Sequence, residues 1–146
     1  MSLTVERTFV TTAAPEKVFA YLADFTTTRE WDPGTVACER LSGDGGVGTR
    51  YRNVSRFAGR TVELEYVAAA LEPGTLVHFT GRNGDSFAGH DRLRLAPSGT
   101  GTQVSYDALF DFSGLARLAT PVVRLLLPRI ADETVEQLRG CLDARA

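Results

Sequence analysis

Lysine is almost absent from this chain. Lys17 is the only one, and arginine supplies the rest of 16 cationic side chains, set against 18 carboxylates. We read that bias as genomic composition. The resulting net charge of −2 leaves no broad basic field for nucleic acid or an anionic membrane. Cysteine is scarce as well: Cys38 and Cys141 stand far apart, each without a second cysteine nearby. That excludes a disulfide framework or a cysteine zinc cluster and fits free thiols in a reducing compartment. Only two histidines occur, His78 and His90, too few among scattered acids for a metal site. No serine, cysteine and histidine set has triad-like support. No metal or cofactor is therefore expected. Long apolar runs are missing too. The densest stretch, Val122 to Leu127, is interrupted by Arg124 and bounded by Pro121 and Pro128, so no stable membrane insertion is expected. The start of the chain lacks a basic-then-apolar signal pattern, which makes a cytoplasmic location the expectation.

What is present is ordinary for a globular protein. The 146 residues are 43% apolar and 23% charged, enough for one domain, residues 1–146, with a real core. Leu3 to Thr11, rich in β-branched residues, reads as a strand. Pro15 then suits the first turn of a helix whose apolar face is Val18, Phe19, Tyr21, Leu22 and Phe25. Thr26 to Trp31 reads as a second short helix, stopped by Asp32-Pro33-Gly34. Six strands follow: Thr35–Leu41, Gly48–Phe57, Arg60–Leu71, Thr75–Gly81, Ser86–Ala96 and Thr102–Phe112. Glycine-rich turns separate them. From Ser113 the period becomes helical, with Val123, Leu127, Ile130, Thr134, Leu138 and Cys141 or Leu142 on one stripe. Pro128 is expected to kink or divide that helix.

One long helix cannot cover seven flat strands, but a curved sheet can grip it and leave a pocket between them. The fold class expected is α+β. Its curved seven-stranded antiparallel sheet wraps around a long C-terminal helix, with two short helices after the first strand. Particular residues now carry a resemblance. Ala14-Pro15-Glu16-Lys17-Val18-Phe19-Ala20-Tyr21-Leu22, followed by Trp31-Asp32-Pro33, resembles the start of the START-like, Bet v 1-like (SRPBCC) superfamily. Asp91 to Pro97 and Gly101 to Tyr106 resemble its last hairpin. The polyketide cyclase/dehydrase-like branch is the most similar. The resemblance spans nearly the whole chain in element order and implies the helix-grip fold. It is specific for fold and weak for function, because family members include cyclases, carriers and hormone receptors and share no catalytic motif.

Hairpin registers fix which side chains face inward. A two-residue Ala58-Gly59 turn sets Tyr51 opposite Tyr66, Asn53 opposite Leu64 and Ser55 opposite Val62, with Arg52 outside. A loop at Gly99-Thr100 pairs Leu95 with Val104, Leu93 with Tyr106, Asp91 with Ala108 and Phe87 with Phe112, with Arg92 and Arg94 outside. The candidate ligand-binding set is Tyr51, Asn53, Leu64, Tyr66, Phe87, Leu93, Tyr106 and Phe110 from the sheet, and Val123 and Leu127 from the helix. Asp91 is an acid on this apolar face, which is costly unless paired or protonated. A type I′ turn at Asn83-Gly84 would put His78 opposite Gly89, diagonal to Asp91, and make His78 and Asp91 the candidate catalytic pair. A tight Pro73-Gly74 turn would instead place His78 outside, unless a bulge within Ala68-Ala69-Ala70 intervenes. Both registers stay open, and a pair that merely orients a ligand is the plainer reading.

Three other features have plain readings. His90 points away from Asp91 on a strand and belongs to the surface. Gly43 to Gly48 matches G-x-G-x-x-G, but a strand-like segment follows rather than a helix, which excludes a phosphate loop. Trp31 plugs the join between short helix and sheet. The function expected is binding of a small apolar or aromatic molecule, polyketide- or lipid-like, in the internal pocket. The alternatives are a cyclase, aromatase or dehydratase working by acid/base groups there, and an interaction domain with a vestigial pocket. Homodimerisation stays open.

Overall fold

The computed structural model describes residues 2–57 and 59–146. Strand β1 (Ser2–Thr11) leads into helix α1 (Pro15–Leu22), a 3-10 turn (Phe25–Thr27) and the short helix α2 (Thr28–Trp31). Strands β2 (Thr35–Ser42), β3 (Arg50–Phe57), β4 (Arg60–Glu72), β5 (Leu76–Asn83), β6 (Phe87–Ser98) and β7 (Gly101–Phe112) follow. A 3-10 segment (Gly114–Ala119) then runs into helix α3 (Thr120–Asp143). The strands form one antiparallel sheet in the order β1-β7-β6-β5-β4-β3-β2. Each hairpin puts sequential strands side by side, and β1 closes onto β7, so β1 and β2 are the edges.

Local chemistry explains the elements. Pro15 occupies the first turn of α1, where its missing N–H costs nothing. Asp24 opens the 3-10 turn by accepting from the Thr26 backbone N–H at 3.0 Å. Helix α3 continues through Pro128 without being divided. Its buried stripe is Val123, Leu127, Ala131, Thr134, Leu138 and Leu142; Ile130 and Cys141 are half-buried on its border. The helix packs most closely along β1 and α2 rather than over the middle of the sheet. Its C-terminal end is tied down by Asp143, which accepts from the Thr11 hydroxyl at 2.5 Å and the Thr12 backbone N–H at 3.0 Å.

Two hairpins have the registers read from the sequence. Tyr51 pairs with Tyr66, Asn53 with Leu64 and Ser55 with Val62; Leu93 pairs with Tyr106, Asp91 with Ala108 and Phe87 with Phe112. The expected Ala58-Gly59 turn falls partly on Ala58, which lies outside the described residues; Phe57 pairs with Arg60.

The β5 registers correct the placement of His78. Asn83 pairs with Phe87, so the β5–β6 loop has three residues rather than two. The Ser86 backbone N–H closes it onto the Asn83 carbonyl at 3.1 Å. His78 consequently lies opposite Arg92, not Gly89, and Phe79 lies opposite Asp91. A shift by an odd number of residues moves every side chain of the strand to the other face. On the other side of β5 a bulge does fall at Ala69, between the Ala68–Phe79 and Ala70–His78 pairs. The β4–β5 loop is one residue longer than a tight turn, since Glu72 pairs with Leu76. The extra bulge residue and the extra loop residue cancel, and His78 stays on the outer face.

Candidate functional site

The inner face of the sheet is aromatic at one end. Phe25, from the 3-10 turn, packs against Tyr66 (ring centroids 4.4 Å apart), Phe79 (4.5 Å) and Tyr51 (5.8 Å). Tyr66 fits there because it faces Gly81 across β5: a Cβ on Gly81 would lie 2.6 Å from the Tyr66 ring. At the other end Phe87 packs on Phe110 and Phe112, with centroids 6.2 and 5.4 Å away.

Between these clusters sits Asp91. Its carboxyl accepts a hydrogen bond from the Tyr106 hydroxyl at 2.9 Å. Burial, and then the charge of Asp32, push its pKa from the usual carboxylate range up to about 7, against the lowering effect of Tyr106. Asp91 is thus a carboxylic acid that is part neutral at physiological pH. Burial is also the first cause of the raised pKa of Tyr66 and Tyr106, followed by the charge of Asp91 and then of Asp32. Both phenols therefore stay protonated and able to donate. Trp31 presents its edge to Tyr106, with centroids 6.5 Å apart, while its indole N–H donates to the Thr27 hydroxyl at 3.2 Å.

Asp32 is the site residue that sequence reasoning missed. Its carboxylate accepts from the Gly34 backbone N–H at 3.1 Å and the Thr35 hydroxyl at 2.9 Å, and burial raises its pKa as well. The Asp32-Pro33-Gly34 turn is legible in the sequence. Nothing in sequence spacing places that turn's carboxylate within electrostatic reach of Asp91, because the two belong to different layers.

Burial divides the predicted ligand-binding residues. Tyr51, Leu93, Val123 and Leu127 are buried in the core, as is Phe87 at its edge. Asn53 is buried and fully occupied: its amide donates to the Thr35 hydroxyl at 3.1 Å and the Thr28 hydroxyl at 3.5 Å, and its carbonyl accepts from Ser55 at 2.5 Å. It ties β3 to β2 and α2. Tyr106 is buried with its hydroxyl committed to Asp91. Leu64, Tyr66, Asp91 and Phe110 share the inner face but are only half-buried. They are the members of the set with surface left for another molecule.

His78 does not join this group. It lies on the outer face, its ring edge-on to His90 at 5.1 Å, beside Arg92, which holds Asp107 through two hydrogen bonds of 2.8 and 3.0 Å. Burial lowers the His78 pKa, with His90 and Arg92 adding to the effect. The expected pairing of His78 with Asp91 is therefore not formed: Tyr106, not His78, is the hydrogen-bond partner of Asp91. Arg52 and Arg94 also point outward, Arg52 pairing with Glu63 at 2.6 Å. Among the described residues no group of three or more histidine, cysteine or acidic side chains is arranged to hold a metal ion. None of the described helices is long and apolar enough to cross a membrane.

Residues 2–141 match the profile of the family described as polyketide cyclase / dehydrase and lipid transport. The chain belongs to that family. No match is found among curated proteins. Several solved structures share the fold. The Zhui aromatase/cyclase from a Streptomyces species superposes with a TM-score of 0.83 at 16% identity, covering 99% of this chain and 96% of the other. A START superfamily protein from Mycobacterium smegmatis gives a TM-score of 0.80 at 17% identity, covering 98% and 99%. The di-domain ARO/CYC StfQ of the steffimycin biosynthetic pathway gives 0.74 at 11% identity, with 99% of this chain covering 52% of that one. At such identities the likeness is one of fold: the START, Bet v 1-like helix-grip architecture.

Proposed function

We propose that this member of the family binds a small, mostly apolar or aromatic molecule between the sheet and α3. In this reading Leu64, Tyr66 and Phe110 supply apolar surface and Asp91 reads a polar group on the ligand. The observation that carries the reading is the position of Asp91. It is a half-buried acid on an aromatic inner face, with the Tyr106 hydroxyl at 2.9 Å as its partner. With a pKa of about 7 it can donate a hydrogen bond to a ligand carbonyl or accept one from a hydroxyl, and few such groups suffice to orient an apolar ligand.

A second reading, catalysis of the cyclase or dehydratase kind, draws on the same pKa. An acid that titrates near neutral pH is suited to proton transfer. In a dehydration, neutral Asp91 would give its proton to a departing hydroxyl as the C–O bond breaks. The carboxylate so formed would take the proton from the carbon beside the carbonyl. The family's description includes cyclase and dehydrase, and two of the solved relatives are named aromatase/cyclase or ARO/CYC; the step itself comes to this chain only as a proposal.

Native mass spectrometry of freshly purified protein tests the binding reading. A small molecule retained on the folded protein and released on denaturation is expected. Apo protein that also fails to take up any of a panel of polycyclic phenols and fatty acids would contradict it and favour an interaction domain with a vestigial pocket. Turnover of an aryl β-hydroxyketone that Asp91→Asn abolishes with little change in affinity would establish the catalytic reading.

A further inference from the structure

Helix α3 is apolar on two opposite faces in its first half. The inward stripe is Val123, Leu127 and Ala131, all buried. Opposite it Val122 and Leu125 stand in solvent at 49% and 80% exposure, and Leu115 and Leu118, on the 3-10 segment that runs into the helix, at 87% and 78%. The spacing of three, four and three residues keeps all four on one line. The remaining exposed aliphatics, such as Val10, Val36, Leu41 and Val47, are scattered over strands and a loop. A helix that is hydrophobic all round is normally covered on both sides.

Charge is segregated over the same stretch. From Phe112 to Ala131 the sequence holds Arg117, Arg124 and Arg129 and not one aspartate or glutamate, in a chain whose net charge is −2. All three arginines are exposed. By spacing, Arg129 falls on the leucine line itself, one turn before its Glu133 contact at 3.5 Å, and Arg117 neighbours Leu118, while Arg124 turns toward β1, where it lines a cleft with Leu3 to Arg7.

We propose that this face is a reversible docking surface for an anionic lipid bilayer. Leu115, Leu118, Val122 and Leu125 would enter the headgroup–acyl boundary while Arg117 and Arg129 meet lipid phosphates. Two features favour lipid over a protein. The line contains leucine and valine but no tryptophan, tyrosine or methionine, the anchors that protein interfaces favour. A second copy laid symmetrically against it would bring arginines against arginines. Aliphatic side chains flanked by arginine are the pattern of an interfacial helix. The attachment is peripheral and adds no span. It stands independently of what the interior binds.

Flotation with unilamellar vesicles tests it, using phosphatidylcholine alone and an equal mixture with phosphatidylglycerol. Wild-type protein should float with the anionic vesicles and much less with the neutral ones, and raising salt should weaken the association. The double variant Leu118→Ser/Leu125→Ser should cut the bound fraction roughly tenfold. Arg117→Gln/Arg129→Gln should erase the preference for anionic vesicles. Because these side chains lie in solvent, circular dichroism melts should not move in either variant. Wild-type protein that ignores both vesicle types, or leucine variants that float as well as wild type, would overturn the proposal. A wild-type oligomer that ignores vesicles and that Leu118→Ser/Leu125→Ser dissolves would overturn it too, and would give the face to a protein partner.

Discussion

The Tyr106 hydroxyl reaches across one strand pair to the Asp91 carboxyl at 2.9 Å, joining neighbouring strands on the inner face of the sheet. Because burial outweighs this hydrogen bond, the folded state raises the Asp91 pKa from 3.8 to about 7. The sign of the linkage follows. Between about pH 4 and 7 the native protein holds a proton that the unfolded chain has lost, so Asp91 costs stability progressively as pH rises through that window. Above it the full cost remains, on the order of 2–4 kcal/mol. Asp91→Asn should therefore stabilise the protein at pH 8 by roughly 1–3 kcal/mol. It should also flatten the fall in stability between pH 4 and 7. Chemical denaturation at several pH values reads this directly, and an unchanged pH profile would mean that Asp91 is not buried in its charged form.

His78 should give the opposite signature. Its pKa is lowered in the folded state, chiefly by burial, so the unfolded chain takes up a proton more readily as pH falls below the usual histidine value of 6.5. His78→Gln should lessen the loss of stability on acidification below that point, and it should leave ligand affinity untouched because the ring is on the outer face. An effect on ligand binding comparable to that of Asp91 would contradict the β5 register.

How much of this was legible in the sequence depends on the loops. Tyr51 opposite Tyr66 and Leu93 opposite Tyr106 follow from the Ala58-Gly59 and Ser98-Gly101 turns, whose lengths the residue pattern fixes. Asn83-Gly84 looks like a two-residue turn, but Asn83 still pairs with Phe87 and Gly84 opens a three-residue loop closed by Ser86. That single extra residue carries His78 to the outside. Asp91 facing inward was legible from strand alternation alone. Asp32 was not, because its effect on Asp91 depends on how the α2–β2 connection folds under the sheet, a tertiary placement with no periodic signal.

Glycines offer a pair of contrasting variants. Gly81→Ala puts a Cβ 2.6 Å from the Tyr66 ring, which must move in a packed aromatic cluster, at a cost of about 1–3 kcal/mol. Gly140→Ala, within α3 and with nothing within 4 Å of its Cβ, should stabilise by about 0.5–1 kcal/mol. Thermal melts of the two should shift in opposite directions.

Phe25→Ala removes the ring that touches Tyr51, Tyr66 and Phe79. A loss of about 3–5 kcal/mol is expected from such a truncation. If the variant stays folded, the space left beside Tyr66 should admit bulkier aromatic ligands than the wild type takes, measurable by competitive fluorescence titration.

The most direct test of the account compares binding of 1-naphthol and naphthalene by isothermal titration calorimetry, in wild-type protein and in Asp91→Ala. The two molecules share an apolar body and differ by one hydroxyl. The account predicts that wild-type protein binds 1-naphthol about tenfold or more tighter, the worth of one hydrogen bond to a buried partner, and that Asp91→Ala abolishes the difference while retaining affinity for naphthalene. Equal affinities in wild-type protein, or a preference that survives the loss of Asp91, would contradict it.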